Sequence, residues 1–311
     1  MRPPDPSTVR IDGPWTHRDV SANGIRVHIA EAGSGPLVLL LHGFGEFWWA
    51  WRHQLSTLAE AGYRAVAADL RGYGDSDKPP RGYDAWTLAG DVAGLVRALG
   101  ERRAHLVGHA WGGLLAWTVA SLHPRWVESV SVLGGAHPLA LRDAVGSSLL
   151  RRKQANQARA MLHLLRFQVP MRPERTLVAD DAAALEKLMQ SWSGPQWTRT
   201  DDFAETARTF RHAMLVPGVA HSALEYYRWA FRAQFRGEGR RFTSAVGLRV
   251  AAPVLQIHGT ADTCILPKTA RDSAPWHGPR SRFEMLPEIG HFPHLEDPQR
   301  TSKTLLDFFE R

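Results

Sequence analysis

The sequence predicts an α/β fold with a mostly parallel, doubly wound sheet and an inserted helical cap, and three observations support this class. Short apolar runs typical of buried strands alternate with helical patterns up to residue 137. Strand-like sequence is then missing until about residue 248. It resumes with two strands and a closing helix. We therefore predict a core at 14–137 and 248–311, a cap at 138–247 and an N-terminal extension at 1–13.

The predicted elements begin with a β-hairpin. Residues 17–33 alternate around Asn23-Gly24, a dipeptide that favours a two-residue turn between antiparallel strands. The continuous apolar run at 36–43 predicts a strand buried on both faces. Similar runs predict strands at 63–70, 103–109, 127–135, 252–259 and 280–287. Helical spacing predicts helices at 49–62, 84–100, 179–192, 201–215, 222–235 and 297–310.

Cysteine content and apolar runs narrow the class of protein. Cys264 is the only cysteine, so the chain has no internal disulfide, as is usual in a reducing compartment. The N-terminus lacks the apolar segment of a signal peptide, and no apolar run approaches the roughly 18 residues of a membrane span. We therefore expect a cytoplasmic protein without a transmembrane segment.

The net charge of +7 comes from arginine, since only five of the 38 basic residues are lysine. The sequence has no nucleic-acid-binding motif, and no run of Lys and Arg exceeds "RRK" at 151–153. This scatter favours a solvated basic surface without a nucleic-acid partner. It leaves a weak attraction to acidic lipid surfaces open.

The stretch "GHAWGG" at 108–113 follows a predicted strand and precedes helical sequence. In the G-x-S-x-G turn of α/β-hydrolases the third residue is the nucleophile. Here that residue is Ala110, whose methyl group cannot attack a substrate.

Four motifs carry a family resemblance: "HGFGE" at 42–46, "GHAWGG" at 108–113, "GTADTCILP" at 259–267 and "EIGHFPH" at 288–294. Over about residues 14–311 the chain resembles the epoxide-hydrolase and haloalkane-dehalogenase branch of the α/β-hydrolase fold. It is more similar to the epoxide hydrolases, whose motifs are H-G-F-P-E and G-H-D-W-G-G. Dehalogenases commonly carry a halide-binding Asn at the position of Phe44. The resemblance implies a hydrolase for a small apolar molecule, and we expect neither a cofactor nor a metal.

The resemblance also assigns the catalytic dyad and the oxyanion hole. Asp262 matches the family's acid and His291 its base, and such a carboxylate holds the imidazole in its working tautomer. Taken singly, Asp262 reads as a turn residue and His291 as a buried histidine. Their order beyond two late strands favours the dyad. Phe44 and Trp111 match the residues whose backbone N–H groups form the oxyanion hole.

The predicted cap offers two groups that match hydrogen-bond donors to an epoxide oxygen. Tyr227 matches the second cap tyrosine of the family, with a core aromatic as an equal alternative. The first tyrosine position holds His163, whose neutral imidazole can also donate. The rings of "FWWAW" at 47–51 either pack a helix or line an apolar pocket. We expect Trp48 and Phe167 to line it.

Three departures from the family pattern gather at this site: Ala110 for the nucleophile, Gly45 for the proline of H-G-F-P, and His163 for a tyrosine. We expect Gly45 to loosen its loop.

Three accounts of the function remain open. The first is a hydrolase in which His291, oriented by Asp262, activates water for direct attack. The second is a ligand-binding pseudoenzyme. The third is a variant with its nucleophile replaced by alanine to trap substrate. The sequence does not determine whether the chain forms a homodimer.

Overall fold

The computed structural model describes residues 3–150 and 156–310. Its strands within these residues are β1 (Thr16–Ala22), β2 (Ile25–Ala32), β3 (Leu37–Leu41), β4 (Arg64–Ala68), β5 (Ala104–His109), β6 (Val127–Leu133), β7 (Val254–Gly259) and β8 (Arg282–Leu286). They form one sheet in the order β1-β2-β4-β3-β5-β6-β7-β8. The β1–β2 and β2–β4 pairs are antiparallel and the other neighbours are parallel. The predicted fold class is confirmed.

Helices connect and cover the strands. They are α1 (Arg52–Glu60), α2 (Ala85–Ala98), α3 (Trp111–Leu122), α4 (Pro138–Leu150), α5 (Gln157–Ala160), α6 (His163–Phe167), α7 (Arg172–Trp192), α8 (Asp201–Met214), α9 (Val219–Ala233), α10 (Gly237–Ala245), α11 (Pro267–Arg271), α12 (Pro293–Glu296) and α13 (Pro298–Phe309). Helix α7 contains a break at 179–182, where the backbone is not helical. The described residues between β6 and β7 contain helices α4 to α10 and no strand. Their assignment to a separate cap domain stays a prediction.

The sequence of the hairpin and of β3 explains their structure. Asn23 and Gly24 have φ of 48° and 80°, the positive values that a tight turn between two antiparallel strands requires. Strand β3 lies between β4 and β5, and its five apolar residues are at most 1% exposed.

Helix α2 packs on α3, and α1 packs on α13. No helix in the described part of the chain is long and apolar enough to cross a membrane.

The parallel strands fix where the site forms. Because β3, β5, β7 and β8 run in the same direction, the loops at their carboxyl ends meet at one edge of the sheet. These loops hold Phe44, Ala110, Asp262 and His291. The segment from α6 to α9 supplies the residues that face them.

Candidate active site

The turn at Ala110 has the strained geometry of a nucleophile elbow. Ala110 has φ 45° and ψ −106°, which costs a non-glycine residue roughly 1–3 kcal/mol. Glycines on either side make the turn feasible. A Cβ on Gly108 would lie 2.2 Å from the carbonyl carbon of Gly112, and a Cβ on Gly112 would lie 2.0 Å from the carbonyl oxygen of Leu41. The chain therefore retains the strained turn although Ala110 has no nucleophilic atom.

Asp262 and His291 form a buried hydrogen-bonded pair. The Nδ1 of His291 lies 2.8 Å from Oδ2 of Asp262, and the two residues are 3% exposed. The other carboxylate oxygen accepts the backbone N–H groups of Cys264 and Ile265. Burial disfavours the charged carboxylate, but the imidazoles of His291 and His258 and the N–H of Ile265 together hold the pKa of Asp262 below its ordinary value. The arrangement suits an imidazole that takes a proton at Nε2.

Two backbone N–H groups beside Ala110 have no hydrogen-bond acceptor within the part of the chain that the structure describes. Trp111 is the first residue of α3, so its N–H has no acceptor within the helix. Among the described residues, the N–H of Phe44 has no protein acceptor either. A Cβ on Gly43 would lie 3.2 Å from the Cβ of Ala110, so the loop that carries Phe44 passes directly beside the elbow. These are the two donors that the sequence assigns to the oxyanion hole.

Tyr227 lies at the centre of an aromatic cluster opposite the elbow. Its ring centroid is 5.1–5.3 Å from the rings of Trp111, Phe44 and Phe167, and 6.4 Å from that of His163. Tyr227, Phe44 and Phe167 are 6–8% exposed. The cluster therefore forms an almost closed apolar wall.

Trp192, which the sequence analysis missed, joins this wall to the base. Its ring is 5.6 Å from the ring of His291 and 5.5 Å from that of His163. Its carbonyl oxygen accepts the backbone N–H of His291 at 2.9 Å. No sequence signal separates Trp192 from an ordinary helix-end tryptophan.

Burial sets the protonation of Tyr227 and His163. It raises the pKa of Tyr227 well above 10.0, so the phenol keeps its proton and can donate a hydrogen bond. Burial also lowers the pKa of His163 to about 4, against a smaller opposing effect of the Ala160 carbonyl. His163 is therefore neutral at pH 7 and has a single N–H, for which Ala160 competes. Tyr227 is the stronger candidate donor.

Arg228 holds the aromatic wall together. Its guanidinium donates to the carbonyl oxygens of Phe167 at 3.0 Å and Val169 at 3.1 Å, and to the carboxylate of Glu174 at 2.7 Å. These bonds hold the end of α6 and the start of α7 against α9, the helix that carries Tyr227. No sequence motif marks Arg228, and its role follows from its burial, since a buried arginine needs partners.

A second buried network lies beneath the elbow. His109 Nδ1 is 2.8 Å from Glu46 Oε2, and His109 Nε2 is 2.8 Å from the carbonyl oxygen of His291. A carboxylate and a carbonyl both need a donor, so both ring nitrogens carry protons. Despite burial, Glu46 raises the pKa of His109, and His109 keeps the pKa of Glu46 well below its ordinary value. Glu46 also accepts the N–H of Gly43.

This network has the residue types of a metal site but the chemistry of an ion pair. Ligand atoms of Glu46, His109 and His294 lie within 4.8 Å of one another. A metal needs a deprotonated ring nitrogen, whereas both nitrogens of His109 donate hydrogen bonds. Burial lowers the pKa of His294 to about 4, so it is the neutral neighbour of the pair.

The structure corrects the expectation for Trp48. Its ring is fully buried and packs against Trp15 at 5.2 Å and His17 at 4.9 Å. Its indole N–H donates to the carbonyl oxygen of Val9 at 2.9 Å. Trp48 therefore anchors the N-terminal segment and does not line the aromatic site, while Phe167 belongs to the cluster around Tyr227.

The glycine that replaces proline matches its local backbone. Gly45 has φ +75°, whereas proline is fixed near −65°. A Cβ at this position would lie 2.4 Å from Cδ1 of Leu185 in α7. Gly45 thus permits close contact between the loop and the helical segment, which is a different role from the loosening expected from the sequence.

The comparisons with known proteins agree with this fold. Residues 36–298 match the family described as alpha/beta hydrolase fold. The chain is 30% identical over 296 residues to the AB hydrolase superfamily protein YfhM of Bacillus subtilis, covering 94% of this chain and 96% of that one. It is 32% identical over 321 residues to epoxide hydrolase A of Mycobacterium tuberculosis, covering 95% and 98%. The crystal structure of epoxide hydrolase A from Mycobacterium thermoresistibile superposes with a TM-score of 0.78 at 27% identity, covering 95% and 98%.

The chain therefore belongs to the α/β-hydrolase fold family, in its epoxide-hydrolase-like branch. The resemblance inferred from the four motifs is confirmed.

Proposed function

We propose that the protein hydrolyses a small apolar epoxide by direct attack of a water molecule that His291 activates. One observation carries the proposal: a complete Asp262–His291 pair lies buried beside an elbow whose residue, Ala110, cannot form a covalent intermediate. We also place the enzyme in the cytoplasm, as its composition suggests.

The reaction uses His291 as the base and Tyr227 as the hydrogen-bond donor to the epoxide oxygen. Nε2 of His291 takes a proton from water, and the water oxygen forms a bond to one carbon of the epoxide ring. The bond from that carbon to the epoxide oxygen breaks, and its electron pair stays on the oxygen. Tyr227 donates a hydrogen bond to this oxygen, which then receives the proton held by His291. Epoxide and water thus give a diol.

The turn at Ala110 has a role in this reaction although Ala110 is not a nucleophile. The methyl group of Ala110 occupies less space than a carboxylate, so a water molecule fits in its place. The N–H groups of Phe44 and Trp111 would donate to that water and stabilise the negative charge that develops as His291 removes its proton. Without a covalent step we expect turnover to be slow, because the oxyanion hole and binding alone supply only residual catalysis in hydrolases that lack their nucleophile.

The alternative is a ligand-binding protein, which the absence of a nucleophile favours. Cys264 does not replace the nucleophile. Its thiol is buried, and burial together with the nearby Asp262 raises the pKa of Cys264 well above 9.0. A protonated thiol reacts poorly with an epoxide.

Incubation with styrene oxide separates these accounts. We expect the native protein to form the diol slowly, and His291→Gln to lower the rate by about 10²–10⁴, the usual contribution of a general base. Ala110→Asp should react faster and form an enzyme-bound ester. Ala110→Asn has nearly the same shape without the nucleophilic charge, so it is the matched control and should form no ester. Binding of styrene oxide without diol formation in the native protein would favour the ligand-binding protein.

A further inference from the structure

The segment 162–169, which contains helix α6, has two apolar sides. His163 and Phe167 contact Tyr227 on the inner face. Leu162, Leu165 and Val169 are 54%, 55% and 46% exposed. Backbone hydrogen bonds form helical turns at both ends of α6. One runs from the N–H of Leu165 to the carbonyl of Leu162, and the other from the N–H of Val169 to the carbonyl of Arg166. Residues three positions apart lie on the same side of a helical turn, so Leu162 and Leu165 share one surface, and the exposed Val169 follows two residues after the end of α6.

Arginines accompany these apolar side chains. Arg159, Arg166, Arg172 and Arg175 are all exposed. Among the described residues, none of their guanidinium groups pairs with a carboxylate. The one acidic residue between 156 and 178 is Glu174, which is held by the buried Arg228. Met171, 65% exposed, extends the apolar surface.

We propose that this α6 outer face binds the surface of an anionic lipid bilayer. It comprises the exposed apolar and arginine side chains of the segment 159–175, which runs from α5 through α6 into α7: Leu162, Leu165, Val169 and Met171, with Arg159, Arg166, Arg172 and Arg175. Apolar side chains that enter the acyl boundary, flanked by cations that reach phosphate groups, are the combination that interfacial segments use. The four exposed guanidinium groups have no carboxylate partner among the described residues, so they are available to bind phosphate groups, which an anionic bilayer supplies over a wide surface.

A second copy of the chain fits this face less well. A symmetric dimer would bring the same surface against itself. Each copy would then oppose four unpaired arginines with the same four arginines, in a chain whose net charge is already +7. Charge complementarity therefore favours the lipid surface.

The position of the face links docking to the site. The same short helix carries His163 and Phe167, so a docked α6 would place the aromatic wall beside the lipid phase in which apolar epoxides dissolve. That consequence rests on the proposed function. The docking itself does not, so its test needs no substrate.

The test is flotation of the full-length protein with vesicles. We expect binding to phosphatidylcholine vesicles that contain about one third phosphatidylglycerol, and at least tenfold weaker binding to pure phosphatidylcholine. Binding should also weaken at 1 M salt, where the Debye length falls to about 3 Å. Leu162→Ser combined with Leu165→Ser, and separately Arg166→Gln combined with Arg172→Gln, should each lower the affinity at least tenfold.

Two matched controls guard against a general effect of charge or hydrophobicity. Leu248→Ser removes an apolar side chain that is 79% exposed elsewhere. Arg102→Gln removes an exposed cation next to the start of β5, at the edge of the sheet opposite the site. Both should bind within twofold of the native protein. Circular dichroism checks that every variant folds.

Three results would overturn the proposal: equal binding to neutral and anionic vesicles, native affinity in both double variants, or no binding at all. If the protein binds no vesicles but is a dimer that Leu162→Ser with Leu165→Ser dissociates, the face is an interface between copies. Failure of styrene oxide hydrolysis would leave the vesicle result unaffected, so the two proposals fail separately.

Discussion

The imidazole of His109 donates its Nε2–H to the backbone carbonyl of His291 at 2.8 Å. His109 immediately precedes Ala110, so one ring connects the elbow to the loop of the base. Its other nitrogen donates to Glu46. A buried ion pair between His109 and Glu46 thus supports the two loops that carry Ala110 and His291.

Glu46→Gln should destabilise the fold by about 3–5 kcal/mol, because it leaves the buried His109 charge without its partner. The pKa of His109 is raised, so its contribution is complete below its unfolded value of 6.5 and is lost as pH rises through the folded value. The pKa of Glu46 is depressed, so its contribution is complete above 4.5 and is lost as pH falls through the folded value. The difference in unfolding free energy between native protein and variant should therefore be largest between about pH 4.5 and 6.5.

Urea unfolding across pH measures this difference. Glu101→Gln is the control, since Glu101 makes only a long, solvent-accessible ion pair with Arg64. A Glu46→Gln variant as stable as the control at pH 5.5 would show that the pair does not support the elbow.

Arg228→Gln should loosen α6. The variant loses donors to the carbonyl oxygens of Phe167 and Val169, and it leaves Glu174 without its buried cation. Hydrogen bonds from charged groups are worth about 1.5–3 kcal/mol each, so amide exchange over 160–171 should rise at least tenfold.

Hydrogen exchange measured by mass spectrometry tests this expectation, with Arg232→Gln as the control. Arg232 lies one turn further along α9 and pairs with Glu225 at the surface, its side chain 47% exposed. Equal exchange in the two variants would mean that Arg228 does not hold the wall in place.

Gly45→Pro, which restores the family's residue, should destabilise the protein. Proline cannot adopt φ +75°, so the substitution should cost more than about 1 kcal/mol. Gly45→Ala should also destabilise, because its Cβ meets Leu185. Adding Leu185→Ala to Gly45→Ala should recover the part of the loss due to this contact but not the part due to φ. Thermal unfolding of the three variants is the measurement, and a rise in Tm for Gly45→Pro would contradict the geometry of this loop.

The features that the sequence predicted are those set by local pattern. Apolar runs placed the strands, and parallel strands bring Asp262 and His291 to one edge of the sheet, where they meet at 2.8 Å. Features that depend on packing between distant segments escaped prediction. The aromatic run at 47–51 is compatible with helix packing or with a pocket, and nothing in it indicates that the N-terminal segment covers the ring of Trp48.

The same limit applies to the buried network. Glu46 and His109 lie 63 residues apart, and only the folded sheet brings them together. Nor does the sequence indicate the positive φ of Gly45 or the close approach of its loop to Leu185. Each of these features depends on how two elements that are distant in the sequence pack together, which local sequence patterns do not indicate.

A single turnover in water labelled with oxygen-18 tests direct attack at the Ala110 elbow most directly. With styrene oxide and excess native protein, we predict a diol that carries oxygen-18 in the first turnover and a protein of unchanged mass. In Ala110→Asp the carboxylate should attack first, so the first diol should be unlabelled and the protein should gain the label. An unlabelled first diol from the native protein, or a covalent adduct on it, would contradict direct attack by water.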